Sequence, residues 1–592
     1  MLELPYGIAD FSRIIKTGRA YVDRTSHIRG VESLGENLLF IRPRRFGKSL
    51  WLQTLAAYYD LRTADEHEEL FGRLAIGQDP TPNAHRYFVL QWDFSWVSPS
   101  GSVAEITAAL NGYVNTALRN FLRYYRQHLP AITIRDNAKD TFLEILGAIR
   151  ETAHPLYLLI DEYDNFANEV MVRDESVYSG LVHGVGPYKE LMKAVKGATQ
   201  GQGLERLFVT GISPVVMSDL SSGMNILVDV YQRPELNSLC GFKAEEIVDL
   251  LERIRAADEK APAWTVEEAR RTIRDWYNGY RFSPSSMEQV YNPTMTLYFL
   301  DHLQRYRESP RQLLDDNLAA DEDKLRFIGQ IVSGQQALLD VVQNDEPIEI
   351  DRLAGRFTLS EMMDLSANDV TFMASYLYYF GMLTLAGETR TQKLRLVPPN
   401  LVVKKLYAEQ IRRFLLPEGR DRTAADAPVR ALTQRGEIEG FLAFVEEKVF
   451  AAMSNRDYVW MNEHGLKMAF HVLLFNDISY MVFSEPEVGR GYADLCLLRR
   501  RDRPSPVLFD LLFELKYVKL AALGKTGEEL RRMERKDLGE LSLVKDCLAD
   551  AEAQLRRYRD ALTKRHGETL RLRAYSVVAL GFERLVAREL VS

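Results

Sequence analysis

Arg42-Pro43-Arg44-Arg45-Phe46-Gly47-Lys48-Ser49 decides the fold of this 592-residue chain, because of what flanks it. Upstream, Asn37-Leu38-Leu39-Phe40-Ile41 is a short apolar run suited to a buried strand. Downstream, residues 50–59 carry apolar side chains at helical spacing. Strand, tight loop, Gly-Lys-Ser and helix together form the setting in which a phosphate-binding loop works. Backbone N–H groups of Arg44, Arg45, Phe46, Gly47, Lys48, Ser49 and Leu50 would hold phosphate oxygens at the helix N-terminus. Lys48 would reach the β/γ oxygens and the Ser49 hydroxyl would sit on Mg²⁺, with ATP as the expected nucleotide. The usual loop opens with Gly six residues before its Lys, and here that position is Arg42, so by spacing alone the match is incomplete.

A second segment completes the chemistry. Leu156-Tyr157-Leu158-Leu159-Ile160 is an apolar run ending in Asp161-Glu162-Tyr163-Asp164. Carboxylates at the carboxyl end of a buried strand suit Mg²⁺ binding and water activation, so Asp161 is expected at the metal and Glu162 at the attacking water. Residues 87–95 and 207–213 read as further strands, and residues 103–127 and 141–152 as helices. Strands alternating with helices imply a parallel α/β sheet whose carboxyl ends gather the ligand-binding residues. Thr210 and Ser213 would then lie near the γ-phosphate.

The totals bound the rest. The length calls for several domains. With 46% hydrophobic and 27% charged residues the composition is that of an ordinary globular chain, and the net charge of −8 places any nucleic-acid contact in local patches. Cys240, Cys496 and Cys547 are too widely spaced for a zinc site and suit a reducing compartment. No stretch of about 20 apolar residues occurs, so no membrane partner is expected and the location is read as cytoplasmic.

Beyond residue 240 the pattern turns helical, with a compact aromatic turn at Trp276-Tyr277-Asn278-Gly279-Tyr280-Arg281-Phe282. An acidic, helical region follows over 305–370. Residues 371–416 read helix, strand, strand, helix, the order of a winged helix, and the surrounding acidic charge favours packing over DNA binding for it. Residues 417–428 read as a linker. After it, Asp494 opens one apolar strand and Glu514-Leu515-Lys516 closes the next. Alternation puts Glu514 and Lys516 on one face, where charge is costly unless paired or metal-bound. Asp494 and Glu514 can hold a divalent cation, and Lys516 can align or help deprotonate a water against a phosphodiester. Glu463, on a preceding helix, would complete the metal shell, and Gln554 and Tyr558 share a helix face that would grip nucleic acid, DNA first.

Tyr21-Val22-Asp23-Arg24-Thr25, the Arg42–Ser49 loop, Asp161-Glu162-Tyr163-Asp164, Thr210-Gly211-Ile212-Ser213, Gly241-Phe242, Asn278-Gly279-Tyr280-Arg281-Phe282 and Tyr291-Asn292-Pro293 occur here in one order. In them the sequence resembles the prokaryotic AAA-ATPase-like proteins with a C-terminal PD-(D/E)XK nuclease-like domain, relatives of the archaeal-type ATPases of the STAND class. In that family Arg42 replaces the first loop Gly. The resemblance implies a P-loop AAA-like core at 1–240, a helical lid or linker at 241–370, the winged-helix-like module at 371–416 and a restriction-endonuclease-like domain at 429–592. It implies Lys48, Ser49, Asp161 and Glu162 for ATP and Mg²⁺. It also implies Asp494, Glu514 and Lys516, with Glu463 and Gln554, for the nuclease, although Ala493 stands where the strict motif has Pro. Two functions stay open: an ATPase controlling nucleic-acid cleavage, by analogy in defence or mobile-element biology, and a nucleotide-dependent switch or scaffold, able to form a homo-oligomer, whose nuclease-like domain binds nucleic acid or a partner without cleaving. Arg44, Arg45, Arg233 and Arg281 are all candidate arginine fingers.

Overall fold

The computed structural model describes residues 1–184, 186–220, 224–258, 264–314, 347–355, 370–454, 463–476, 480–484, 487–488, 491–500, 507–567 and 570–590. The chain divides into two units, Met1–Arg307 with Ile348–Asn400, and Glu308–Pro347 with Leu401–Ser592.

In the first unit, β1 (Asn37–Ile41), β2 (Phe88–Asp93), β3 (Leu156–Asp161), β4 (Leu204–Gly211) and β5 (Val228–Asp229) form one parallel sheet in the order β2-β3-β4-β1-β5. Their near-continuous apolar runs follow from burial on both faces, since crossover helices such as Val103–Tyr124 and Ala138–Arg150 cover the sheet. β4 lies between β1 and β3, with Ile41 opposite Gly211. The loop after β1 and the acids after β3 therefore emerge at one sheet edge.

Arg42 is 1% exposed. Its guanidinium donates to the carbonyls of Ile41 (2.9 Å), Tyr231 (2.7 Å) and Leu236 (2.7 Å) and lies over the rings of Phe40 and Phe282. Burial lowers its pKa to about 10. The residue that departs from the general loop pattern is a strut between the loop and the segment after β5.

At the aromatic turn Gly279 has φ +99°, and a Cβ there would lie 2.0 Å from the Pro399 carbonyl oxygen, so only glycine fits. A three-stranded antiparallel sheet follows, β6 (Ile348–Ile350), β7 (Thr384–Glu388) and β8 (Leu394–Val397) in the order β6-β8-β7. The helix Val370–Tyr379 and the β7–β8 hairpin appear in the expected order, but the closing helix Leu401–Leu415 belongs to the second unit. The hairpin module packs inward on the aromatic turn. Tyr378 Oη donates to Phe282 O, Thr384 Oγ1 bonds both N and O of Arg281, and Gly381 abuts Pro43 of the loop. Most of the acidic stretch expected to be helical, 315–346 and 356–369, lies outside the described residues.

The second unit holds β9 (Tyr480–Ser484), the small hairpin β10 (Glu487–Val488) and β11 (Gly491–Tyr492), then β12 (Leu495–Arg499), β13 (Asp510–Val518), β14 (Leu572–Leu580) and β15 (Arg584–Glu589). Its main sheet runs β15-β14-β13-β12-β9; β13 and β14 are parallel and the other pairs antiparallel. Helix Ser542–His566 makes the crossover between the parallel strands. One expectation is corrected here. The presumed linker at 417–428 folds as helices Gly419–Ala424 and Asp426–Arg435, because Ala425 and Leu432 enter the core and Arg422 ties the carbonyls of Leu416 and Pro417. Pro428 is tolerated in the first helical turn. At the end of β12, Arg499 pairs with Asp510 at 3.0 Å, and buried Arg500 donates to the carbonyls of Pro310 and Arg311.

Helix Glu463–Leu474 carries His471, fully enclosed, with Nδ1 lacking a partner among the described residues. Burial, reinforced by the Lys404 charge, lowers its pKa from 6.5 to about 3. Protons then bind the unfolded chain first, so folding stability is intact above pH 6.5 and falls as pH drops toward 3. His471→Phe is expected to flatten that loss by up to about 1.4 kcal/mol per pH unit between pH 6 and 4, read from urea unfolding at each pH.

Candidate functional site

Gly47, at φ +93°, ends the loop and caps helix Lys48–Tyr59. Lys48 is 5% exposed and its Nζ bridges the carbonyls of Arg42 and Pro43, both at 3.0 Å. The Ser49 hydroxyl lies near enough to the Asp161 carboxylate to favour its charged form, and the Lys48 charge acts in the same direction. Burial nonetheless raises the pKa of Asp161, against the lowering effects of Ser49 and Lys48. Glu162 is raised by burial as well, with Lys48 opposing and Asp161 adding to the shift. Two non-glycine residues here hold left-handed backbone, Arg45 at φ +67° and Glu162 at φ +46°. Strained conformations of this kind persist where the surroundings over-determine them, as around ligands.

Loop and acids face a cavity of about 300 Å³. Arg45, Phe46, Gly47, Lys48, Ser49, Leu50 and Glu162 line one side. The far wall, which local pattern does not reveal, is built from residues 5, 7–9, 20–22 and 239–242 with Pro293, Thr294 and Leu297. The Tyr21-Val22-Asp23-Arg24-Thr25 motif forms a turn and no strand, and acts as the clasp of that wall. Arg24 bonds both oxygens of Glu246 and the Gly241 carbonyl, while Asp23 takes N–H groups from Thr25 and Ala75. Of the four candidate arginine fingers only Arg45 lines the cavity; Arg44 is held by Asn165 at 3.0 Å, and Arg281 and Arg233 lie elsewhere. Thr210 and Ser213 are wholly buried and do not line it. Asp164 occupies that strand end, accepting the N–H groups of Ile212 and Ser213.

In the second unit, alternation along β13 does put Glu514 and Lys516 on one face, joined at 2.8 Å. There they interrupt the apolar contact between the sheet and helix Ser542–His566. Cys496, Leu512 and Ala574 pack to one side, and Val518, Val578 and Leu580 to the other. Asp494 Oδ2 accepts the N–H of Leu515 at 2.6 Å, which pins it beside both. Glu514 is 2% exposed, and its Oε2 has no partner among the described residues. Burial and then the Asp494 charge raise its pKa to about 7. Burial works against the charge on Lys516, but Glu514, Asp494 and Glu463 outweigh it and raise its pKa. Tyr558 feels Glu514, Asp494 and Lys516, and packs with Leu512 and Ala493. Gln554 lies one turn before it and is half-buried.

A residue not anticipated from the sequence enters this cluster. Lys467 Nζ lies 2.7 Å from Asp494 and 3.4 Å from Glu463. Its position four residues after Glu463 on an apolar helix was the signal available. Glu463 thus faces an ammonium. Among the described residues no group of three or more His, Cys, Asp or Glu side chains is placed to hold a metal, so the expected three-carboxylate shell of Glu463, Asp494 and Glu514 is not assembled. The hard oxygens of Asp494 and Glu514, one of them unpartnered, still suit a divalent cation. On the later helix, Lys545 pairs with Glu540, and Arg559 lies 3.7 Å from Asp560.

Residues 5–221 match a family model described as predicted AAA-ATPase. A protein of Azotobacter chroococcum mcd 1, described as an uncharacterized protein in the vnfD 5′ region, is 26% identical over 542 residues, 89% of this chain and 92% of that one. Two structures of the Aeropyrum pernix ORC2 protein also align at 12% identity. The ADPNP–ADP complexes cover 69% of this chain and 95% of that one at a TM-score of 0.32, and the ADP form 69% and 94% at 0.28. No helix among the described residues is long and apolar enough to cross a membrane.

Proposed function

We propose that this chain binds and hydrolyses ATP at the Gly47-Lys48-Ser49 loop, and that its nucleotide state controls metal-dependent cleavage of nucleic acid, DNA first, at the Asp494–Glu514–Lys516 cluster. The observation that carries the first half is Lys48, whose Nζ donates to two carbonyls of its own loop at 3.0 Å and whose charge acts on Asp161 and Glu162, at a cavity that the loop and Glu162 line. The loop N–H groups and Lys48 bind the phosphate oxygens, Ser49 and Asp161 hold Mg²⁺, and Glu162 orients the attacking water and takes up its proton. In the second unit Asp494 and Glu514 hold the cation, Lys516 aligns the water, and Tyr558 with Gln554 contacts the strand. A bound divalent cation supplies neutralisation of the charge that develops on the phosphoryl oxygens at either site.

The Lys467–Asp494 ion pair favours a second reading, in which an ammonium replaces the cation and the second unit binds nucleic acid without cutting it. Incubation of the full chain with single- and double-stranded DNA and RNA, with Mg²⁺ or Mn²⁺ and with or without ATP, separates the two. The first reading expects cleavage that responds to ATP and drops by at least about 10²-fold in Glu514→Ala and in Lys516→Ala. Wild-type protein that hydrolyses ATP and leaves every polymer intact excludes the nuclease half and keeps the switch.

A further inference from the structure

The chain carries a net charge of −8, yet the first unit gathers three arginines around one concavity that shares no residue with the P-loop cavity. Arg62, from the turn Leu61–Glu66, joins Arg123 and Arg126, Asn120 and Gln127, and Tyr124 around a cavity of about 380 Å³. Arg62 is pre-oriented: its guanidinium stacks 4.2 Å over the Tyr124 ring and donates to the Tyr124 carbonyl. Arg123 and Arg126 are exposed, and neither makes an ion pair among the described residues. A helix C-terminus attracts cations, and helix Val103–Tyr124 ends here, which accounts for Arg123. It does not account for Arg62, from a separate segment, and Arg126, beyond the helix end, lining the same hollow.

A second cavity of about 560 Å³ shares Asn120 and Tyr124 with the first and is walled by Leu90, Gln91, Tyr113 and Thr116 along edge strand β2. Tyr124 is 43% exposed between them. Of the carboxylates whose charge reaches Tyr124, Asp60 is buried and engaged by Tyr124 Oη, Tyr125 Oη and the Arg62 N–H, and Glu66 pairs with Lys16. An arginine fork suits phosphate oxygens, and an aromatic ring with amides beside an apolar slot suits a base.

We infer that this paired hollow is a binding site for a nucleoside phosphate unit, its phosphate on Arg62, Arg123 and Arg126 and its base against Tyr124. The unit is carried by a single strand or arrives as a free nucleotide. The site shares no residue with the P-loop cavity. The test is fluorescence anisotropy of the full chain, in EDTA, with a labelled oligothymidylate, beside calorimetry with thymidine 3′,5′-bisphosphate. Arg123→Glu/Arg126→Glu is expected to weaken the bound probe at least tenfold, and Arg126→Gln severalfold, with the melting temperature unchanged. If the strand is the ligand, the double variant also lowers the slope of log affinity against log salt by about 1.4, two phosphate contacts fewer. Binding of the bisphosphate as tightly as the strand identifies the free nucleotide instead. Failure of the wild type to bind either probe, or equal binding by wild type and the double variant, overturns the inference.

Discussion

Lys48→Ala is expected to lower ATP hydrolysis by about 10²- to 10³-fold, the usual loss when one fixed charge is removed from a phosphoryl-transfer site. The ammonium bridges two carbonyls of its own loop and acts on Asp161 and Glu162, so no other side chain of the cavity replaces it. The same variant should lose the stabilisation that ATP gives the wild type, about 2.7 kcal/mol at a hundredfold excess over Kd. Thermal melting with and without ATP–Mg²⁺ reads this independently of turnover. An undiminished nucleotide shift in Lys48→Ala would remove the loop from the nucleotide site.

Giving the loop its customary opening glycine should damage the protein. Arg42→Met is expected to cost about 3 kcal/mol of folding stability and Arg42→Gly up to about 5, because either change leaves the carbonyls of Ile41, Tyr231 and Leu236 without this donor in a buried setting, and the glycine removes the side-chain volume as well. It also opens space between the Phe40 and Phe282 rings. Arg42→Met keeps most of the volume and isolates the hydrogen-bond loss, so the two variants separate packing from polar satisfaction. Urea midpoints for both, measured beside the wild type, check the prediction. A midpoint for Arg42→Gly equal to that of the wild type would mean that the guanidinium does not brace the loop.

The reasons for the two predictions differ in where they come from. Local periodicity and residue chemistry were enough for the strand, the Gly-Lys-Ser turn and the helix, for acids closing β3, and for Glu514 and Lys516 on one face of β13. Each of these depends on neighbours within about ten residues, and the alternation of a strand or the spacing of a helix expresses them directly. The parallel sheet of the first unit was legible for the same reason. The stretch at 417–428 was misread because charge and proline mask two helices whose few apolar residues, Ala425 and Leu432, meet a distant core.

By itself, then, the sequence determined which segments become strands and helices and which acids and lysines stand at their ends, because those properties are short-ranged. Only the tertiary structure decided that Arg42 is a strut, that the N-terminal segment and residues 239–242 wall the cavity beside the Gly47-Lys48-Ser49 loop, and that Lys467 reaches Asp494. It also gathered Arg62 with Arg123 and Arg126 around one hollow. These are contacts between side chains dozens to hundreds of residues apart, set by how packed elements bring their surfaces together, and no local period in the chain carries them.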